Sequence, residues 1–238
     1  MEFMGDNHWA ALAGLFAGGA LGLAASIGRF CTLGAIEDAL YGKDYSRLRM
    51  WALALAVGVA SMFTLEAFGL VDYSQTIYYT LKWNPLASIV GGLMFGWGMA
   101  MAGNCGFGAL ARMAGGDLRS FVVAVIMAIS AYMAIGGPTA VVRDWLFPQV
   151  VYSGEAQGIA HLLGRWFDAG PLVPALIFAA ICAGWAFSGK KFRASRTHIV
   201  WSIVVGFGVV FGFWATDLIA TTGFEEINVE SVSYSAPD

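Results

Sequence analysis

The sequence predicts an all-α integral membrane protein with about six transmembrane helices. Of its 238 residues, 58% are hydrophobic and only 12% are charged, and the mean hydropathy is +0.68. A soluble domain carries about 25% charged residues, so a soluble protein of this size could not cover so much apolar area. The apolar residues also form continuous runs, whereas the strands of a membrane β-barrel alternate apolar and polar residues. Both observations favour helices that lie in a lipid bilayer.

Six apolar runs define the predicted elements. Each run has about the 17–25 residues that a helix needs to cross ~30 Å of hydrocarbon, and backbone groups in hydrocarbon must be satisfied internally, which favours helices. The predicted spans are 9–27, 51–71, 85–101, 120–137, 172–188 and 199–220. We interpret 1–238 as a single transmembrane domain, in which 138–170 form an outer loop, 171–220 hold the last two spans and 221–238 form a polar tail.

The charges of the loops predict an orientation. When the loops are placed alternately on two sides, ten of the thirteen lysines and arginines lie on one side, in linkers 28–50, 102–119 and 189–198. Cytoplasmic loops are enriched in these residues, so we expect this side to face the cytoplasm and both termini to lie outside. Glu66 and Asp217 lie inside spans near the outer end, where we expect them to reach headgroups or water.

Two similar polar stretches interrupt the apolar runs. "GRFCTLGAIEDALYG" (28–42) is the first cysteine element and "AGNCGFGALARMAGG" (102–116) is the second. Both contain Cys-x-x-Gly-Ala, both follow an apolar run rich in glycine and alanine, and both lead through a charged linker into another apolar run. We therefore expect an internal repeat over roughly 9–71 and 85–137, with a short helix of two to three turns that starts at or near each cysteine.

The cysteine elements are the candidate functional site. Repeated elements at broken or short helices often form the substrate sites of transporters, and the N-terminus of a helix favours anions because its N–H groups are unpaired. A buried cysteine is often only a small hydrophobe, and we interpret Cys182 in that way. The candidate permeation residues are Cys31, Gly34, Asn104, Cys105, Gly106 and Gly108.

Arg29 and Arg112 flank the two cysteine elements. They could attract anions to the cytoplasmic mouth of a pathway, and they could equally be ordinary anchors of a positively charged cytoplasmic face.

Other classes of function find no support in the sequence. The formal net charge is −3 and no basic cluster with interleaved aromatic residues is present, so we expect no nucleic-acid partner. No nucleotide-binding loop is visible, which argues against direct ATP-driven transport. The three histidines form no constellation with Ser, Asp or Glu for hydrolytic or metal chemistry. We therefore expect no enzymatic activity and no cofactor or metal.

The motifs "GRFCTLGAIEDA" and "AGNCGFGALARMAGGDLRSF" resemble those of the YeeE/YedE-like sulphur-transport proteins, which are bacterial inner-membrane permeases associated with thiosulfate uptake. The resemblance covers both cysteine elements and the helices around them. It implies that Cys31 and Cys105 line a narrow path and pass thiosulfate along by S–H hydrogen bonds. It also implies a multi-pass protein of the inner membrane with a small sulfur-containing anion as its partner. In that membrane, the charges of the loops predict periplasmic termini.

Two alternatives stay open at this stage. One is a sulfur-handling protein in which a cysteine carries a persulfide, and the other is an accessory subunit that needs a partner membrane subunit or a second copy. Members of the family are usually longer, with further cysteine-bearing elements in a second half. The chain is therefore expected to be a fragment, a short variant, or a protein that completes its pathway with a partner.

Overall fold

The chain is all-helical in the part that the structure describes. The structure is a computed structural model, and it describes residues 6–71, 83–148, 158–167 and 170–222. These residues form eleven helices and no strands: α1 (Asp6–Ser26), α2 (Thr32–Leu40), α3 (Ser46–Ala67), α4 (Pro85–Ala102), α5 (Gly106–Ala114), α6 (Leu118–Gly136), α7 (Pro138–Leu146), α8 (Ile159–Phe167), α9 (Leu172–Phe187), α10 (Lys190–Ala194) and α11 (Arg196–Thr222).

Each of the six predicted spans overlaps one helix of the structure. In chain order these helices are α1, α3, α4, α6, α9 and α11. Four helices in the described ranges are long and apolar enough to cross a membrane, counting α4 and α5 as one continuous segment. The apolar parts of the other two, α1 and α9, are about 16 residues long. The structure thus confirms an all-α membrane protein. Most of the predicted polar tail, from residue 223 on, lies outside the described residues.

The core lies where α3 packs against both α9 and α11, and α11 in turn packs against α1. Its buried side chains include Leu21, Met50 and Phe192. Gly28, just after α1, allows the close approach of α11, because an added methyl group would lie 2.7 Å from the Trp201 ring. This layer of four helices holds the end of α1, and therefore the first cysteine element, in a defined position.

Arg49, near the start of α3, binds the end of α9. Its guanidinium group lies 5.0 Å over the Trp185 ring, and its Nη1 donates to the Ala186 carbonyl at 3.2 Å and to the Ser188 hydroxyl at 2.7 Å. The carbonyl groups in the last turn of a helix have no partner within that helix. The Arg49 guanidinium group donates to them, and its positive charge is stabilised by the negative end of the helix dipole.

Asp44 forms a second link on the same side. Its carboxylate accepts hydrogen bonds from the Ser46 hydroxyl at 2.7 Å, from the Ser46 amide at 3.1 Å, and from the ammonium group of Lys191 in α10. The hydrogen bond from Lys191, followed by that from Ser46, lowers the pKa of Asp44 to about 2. The carboxylate is therefore charged at neutral pH and connects the α2–α3 linker to α10.

Helix α4 packs little against the rest of the described chain, and α6 packs mainly against the short helices α5 and α7. Most side chains of α4 are exposed, including Leu93 and Trp97 at more than 70%, and most of α6 is exposed or half-buried. Exposed apolar faces of this size require hydrocarbon or another protein around them. The predicted outer loop also contains the short helices α7 and α8, which the sequence did not predict.

The two carboxylates inside the spans have protein neighbours. His161 of α8 lies 3.5 Å from the Glu66 carboxylate in α3, and Asp217 in α11 is only 6% exposed. The expectation that both side chains reach headgroups or water is therefore wrong for Asp217, which is buried.

Candidate functional site

The two cysteine elements have matching backbones. In each, the residue two positions before the cysteine is left-handed, with φ of 53° at Arg29 and 67° at Gly103. Each cysteine then has an extended backbone and is the N-cap of a nine-residue helix, α2 after Cys31 and α5 after Cys105. The prediction of short helices that start at the cysteines is confirmed.

The two thiols contact each other although 74 residues separate them in sequence. The Sγ atoms of Cys31 and Cys105 lie 3.5 Å apart, within the range of a hydrogen bond between sulfur atoms, and either thiol can be the donor. The Cys105 sulfur also accepts from the Gly108 amide at 3.2 Å, and the amides of Thr32 and Leu33 at the start of α2 face it as well. The N-termini of both short helices thus converge on the sulfur pair, which is not a disulfide.

Aromatic contacts beside the thiols hold the two elements together. Phe30 is only 2% exposed. Its ring lies 4.4 Å from the Trp51 ring of α3 and 6.4 Å, edge to face, from the ring of Phe107 in α5. Since Phe30 precedes Cys31 and Phe107 follows Cys105 by two residues, this apolar contact packs the two cysteine elements against each other.

Three of the predicted site glycines leave space for a neighbour. A methyl group on Gly108 would lie 3.3 Å from the Cys105 sulfur and 3.4 Å from the Cys31 sulfur. One on Gly106 would lie 2.8 Å from the end of the Met127 side chain in α6, so that glycine serves the packing of α5 against α6. One on Gly34 would overlap the guanidinium group of Arg47.

Asn104 has a structural contact rather than one with the thiols. Its buried amide donates to the Ser120 hydroxyl at 3.2 Å, and that hydroxyl donates to the Asp117 carboxylate at 2.7 Å. Asp117 is also the N-cap of α6 and accepts from the Arg119 amide at 3.0 Å. The chain of hydrogen bonds therefore connects the second cysteine element to the start of α6.

A cavity of about 350 Å³ adjoins Cys31. Of the predicted residues, Cys31, Gly34, Gly108, Arg29 and Arg112 line it, whereas Cys105, Asn104 and Gly106 are not among its wall residues. Cys105 lies behind Cys31, and only 3% of it is exposed.

Arg47 and Glu37 also line this cavity, and the sequence did not single them out. The only sequence signal for Arg47 was its place in a basic linker. Cys182 packs against the main core, as expected of a small hydrophobe.

Within the described ranges, no group of three or more His, Cys, Asp or Glu side chains could hold a metal ion. The groups that the structure brings together at the site are two thiols, helix N-termini and guanidinium groups. This set of donors suits a small anion that has a polarisable end.

Comparison with known proteins agrees with this chemistry. A family model described as sulphur transport matches residues 27–225, which include both cysteine elements. The chain belongs to the sulphur transport family. Its resemblance to the YeeE/YedE-like proteins, carried by the two cysteine motifs, is thereby confirmed.

Two curated relatives carry a more specific name. The chain is 27% identical over 196 residues to a thiosulfate transporter, TsuA, of Spirochaeta thermophila, and this match covers 80% of the chain and 58% of the relative. It is 31% identical over 123 residues to the thiosulfate transporter TsuA of Escherichia coli, covering 51% of the chain and 34% of the relative. The chain thus matches only part of the length of either relative.

Proposed function

We propose that this family member forms part of an inner-membrane permeation pathway for thiosulfate or a related small sulfur-containing anion, which passes along the thiols of Cys31 and Cys105. The observation that carries the proposal is the contact between two thiols at the N-termini of two matching helices, beside a cavity lined by arginines. The names of the two relatives support thiosulfate as the substrate. In this proposal, 9–71 and 85–137 are two copies of one unit within a single transmembrane domain.

Weak donors suit this task. Thiosulfate is a dianion, and it must exchange its hydration for other donors before it can cross hydrocarbon. A pathway must also release the ion, so binding at each position has to be weak. A neutral thiol donates one weak hydrogen bond, and the helix N-termini add partial positive charge at the sulfurs. Transfer between donors 3.5 Å apart needs no covalent step, so we propose a permease rather than an enzyme.

The orientation follows from the charge of the loops. Ten of the thirteen lysines and arginines lie on the side of the two cysteine elements, which we therefore assign to the cytoplasm, with both termini in the periplasm. The arginine-lined cavity is then at the cytoplasmic end of the pathway. A reporter that is active only in the periplasm, fused after Asp238, should be active, and activity of a cytoplasmic reporter at the same position would contradict this orientation.

Alanine variants test the role of the thiols. Cys31→Ala and Cys105→Ala should each abolish thiosulfate-dependent growth of an uptake-deficient host, because each variant removes one donor from the pair. Cys182→Ala is the matched control and should grow like the wild type, since Cys182 packs in the core away from the cavity. Normal uptake by both variants, at normal expression, would contradict the assignment.

Reconstitution separates the remaining alternatives. Uptake of labelled thiosulfate by liposomes that contain only this chain would exclude the need for a partner subunit, and uptake that appears only with a second membrane protein would establish an accessory role. Mass spectrometry of the purified protein after exposure to thiosulfate distinguishes the sulfur-handling alternative. A sulfur atom added to Cys31 or Cys105, with sulfite released as the sulfur–sulfur bond of thiosulfate breaks, would favour a persulfide carrier over simple permeation.

A further inference from the structure

Arg47 is positioned at the cavity by contacts on two sides. Its Nε donates to the Asp38 carboxylate at 3.1 Å, and its side chain is 26% exposed. Its Nη1 lies against Gly34, at the cavity wall. Gly34 also lies close to Cys31, because a methyl group on Gly34 would be 3.9 Å from the Cys31 Cβ. The guanidinium group and the thiol therefore border the same small space.

The side chains that line this cavity carry an excess of positive charge. The cavity wall contains three arginines, Arg29, Arg47 and Arg112, and one carboxylate, that of Glu37. Arg29 and Arg112 are exposed, whereas Arg47 is half-buried and held by Asp38. A concave surface with one sign of charge concentrates ions of the opposite sign, and the planar guanidinium group binds oxyanions through two parallel hydrogen bonds.

Arg29 adds an independent observation. It has a left-handed backbone at the position where the second cysteine element has Gly103. A left-handed conformation costs a non-glycine residue roughly 1 kcal/mol or more, and glycine would avoid that cost. The first element instead has a cation there, at the mouth of the cavity.

We infer that Arg47 is a specificity-determining residue. It binds the oxygen atoms of a doubly charged sulfur oxyanion, while Cys31 faces the terminal sulfur of the same ion. This inference rests on the proposed function, because it requires the substrate to pass Cys31. It adds that the site selects a dianion by charge, and that the role of Gly34 is to admit the guanidinium group to the cavity wall.

Three variants separate this role from a structural one. Binding of radiolabelled thiosulfate to the purified full-length chain in detergent is measured at fixed ionic strength. Arg47→Gln should weaken binding about ten-fold or more, since charge-assisted hydrogen bonds are lost, and Arg47→Lys should restore part of it. Asp38→Asn removes the ion pair but keeps the cation and an amide oxygen that can accept from Nε, so it should weaken binding less than Arg47→Gln does.

Gly34→Ala is a fourth variant, and it gives the most specific test. The added methyl group displaces only the flexible end of Arg47, and alanine favours a helix over glycine by about 1 kcal/mol. The variant should therefore be as stable as the wild type and yet bind thiosulfate as weakly as Arg47→Gln. The controls are Gly92→Ala and Arg193→Gln. Among the described residues, no atom outside the local backbone of α4 lies within 4 Å of a methyl group on Gly92, and Arg193 is an exposed cation outside the cavity.

Each outcome decides between the two proposals. If the wild type binds thiosulfate and Arg47→Gln or Gly34→Ala binds equally well, the inference is wrong while the proposed function stands. If Asp38→Asn weakens binding and lowers the melting temperature as much as Arg47→Gln does, Arg47 has only a structural role. If the folded wild type binds no thiosulfate, the proposed function fails, and the inference fails with it.

Discussion

Mild oxidation of the purified chain should join Cys31 to Cys105. The two sulfurs lie 3.5 Å apart, and a disulfide bond requires about 2.05 Å, so they must approach each other by about 1.5 Å. Each cysteine precedes a helix and has an extended backbone, where a rotation of the side chain and a small shift of the loop can supply this movement. An azo oxidant such as diamide would take up the two thiol hydrogens as the sulfur–sulfur bond forms.

The formation of the disulfide is measured as a loss of free thiols. Oxidation should reduce the three thiols of the chain to one, counted with a chromogenic thiol reagent after denaturation, and the remaining thiol should be Cys182. Mass spectrometry of proteolytic fragments should find the peptides of Cys31 and Cys105 joined. Cys182→Ser should lose all its thiols on oxidation, whereas Cys31→Ser should keep both of its own.

Three results would refute parts of this reasoning. Three remaining thiols after full oxidant treatment, or a disulfide that includes Cys182, would contradict the contact between the two sulfurs. Uptake of thiosulfate should fall in proportion to the cross-linked fraction and return on reduction, because the cross-link removes both S–H donors. Full uptake by fully cross-linked protein would leave the geometry intact but contradict transfer along the thiols.

Three further predictions concern single side chains. Gly108→Ala should lower uptake more than Gly92→Ala, because only the first added methyl lies within 3.4 Å of both sulfurs; equal uptake by the two variants would speak against the sulfur contact. Ser120→Ala should lower the free energy of unfolding by ~1–3 kcal/mol, as it leaves the buried Asn104 amide without its hydroxyl acceptor; an unchanged denaturation midpoint would argue against this link. Asp44→Asn should flatten the dependence of stability on pH. The pKa of about 2 for this carboxyl lies below its unfolded value of ~4, so its contribution is present above about pH 4 and is lost as the pH falls to about 2. The loss should be about 1 kcal/mol or less because the side chain is 32% exposed; thermal melts over this pH range check it, and equal slopes for the two proteins would contradict it.

Local patterns were sufficient to predict the spans and the short helices. Continuous apolar runs predict membrane helices because hydrocarbon forces each segment to satisfy its own backbone. The duplicated Cys-x-x-Gly-Ala pattern predicted two short helices with a cysteine at the start, and both were found. Helices α7 and α8 were not predicted, since their nine-residue length and mixed polarity resemble those of a loop.

The site was only partly predictable. Asn104 and Gly106 were grouped with the thiols because they neighbour Cys105 in sequence, but both contact α6 instead. Arg47 was missed because its partners Gly34 and Asp38 belong to another helix. Sequence neighbours on a helix of 3.6 residues per turn point in different directions, so adjacency alone does not assign a residue to a site.

The sequence by itself determined the class of the protein, its six apolar segments, and the two cysteine elements that carry its family membership. These properties depend on composition and on short-range pattern. The preference of a segment for lipid or for water is set by its own residues and not by distant ones. Only the tertiary structure decided that the two sulfurs touch, that Asp217 is covered, and that Arg47 joins the cavity beside Cys31. Contacts between residues so far apart depend on how helices pack, and packing is a property of the whole chain.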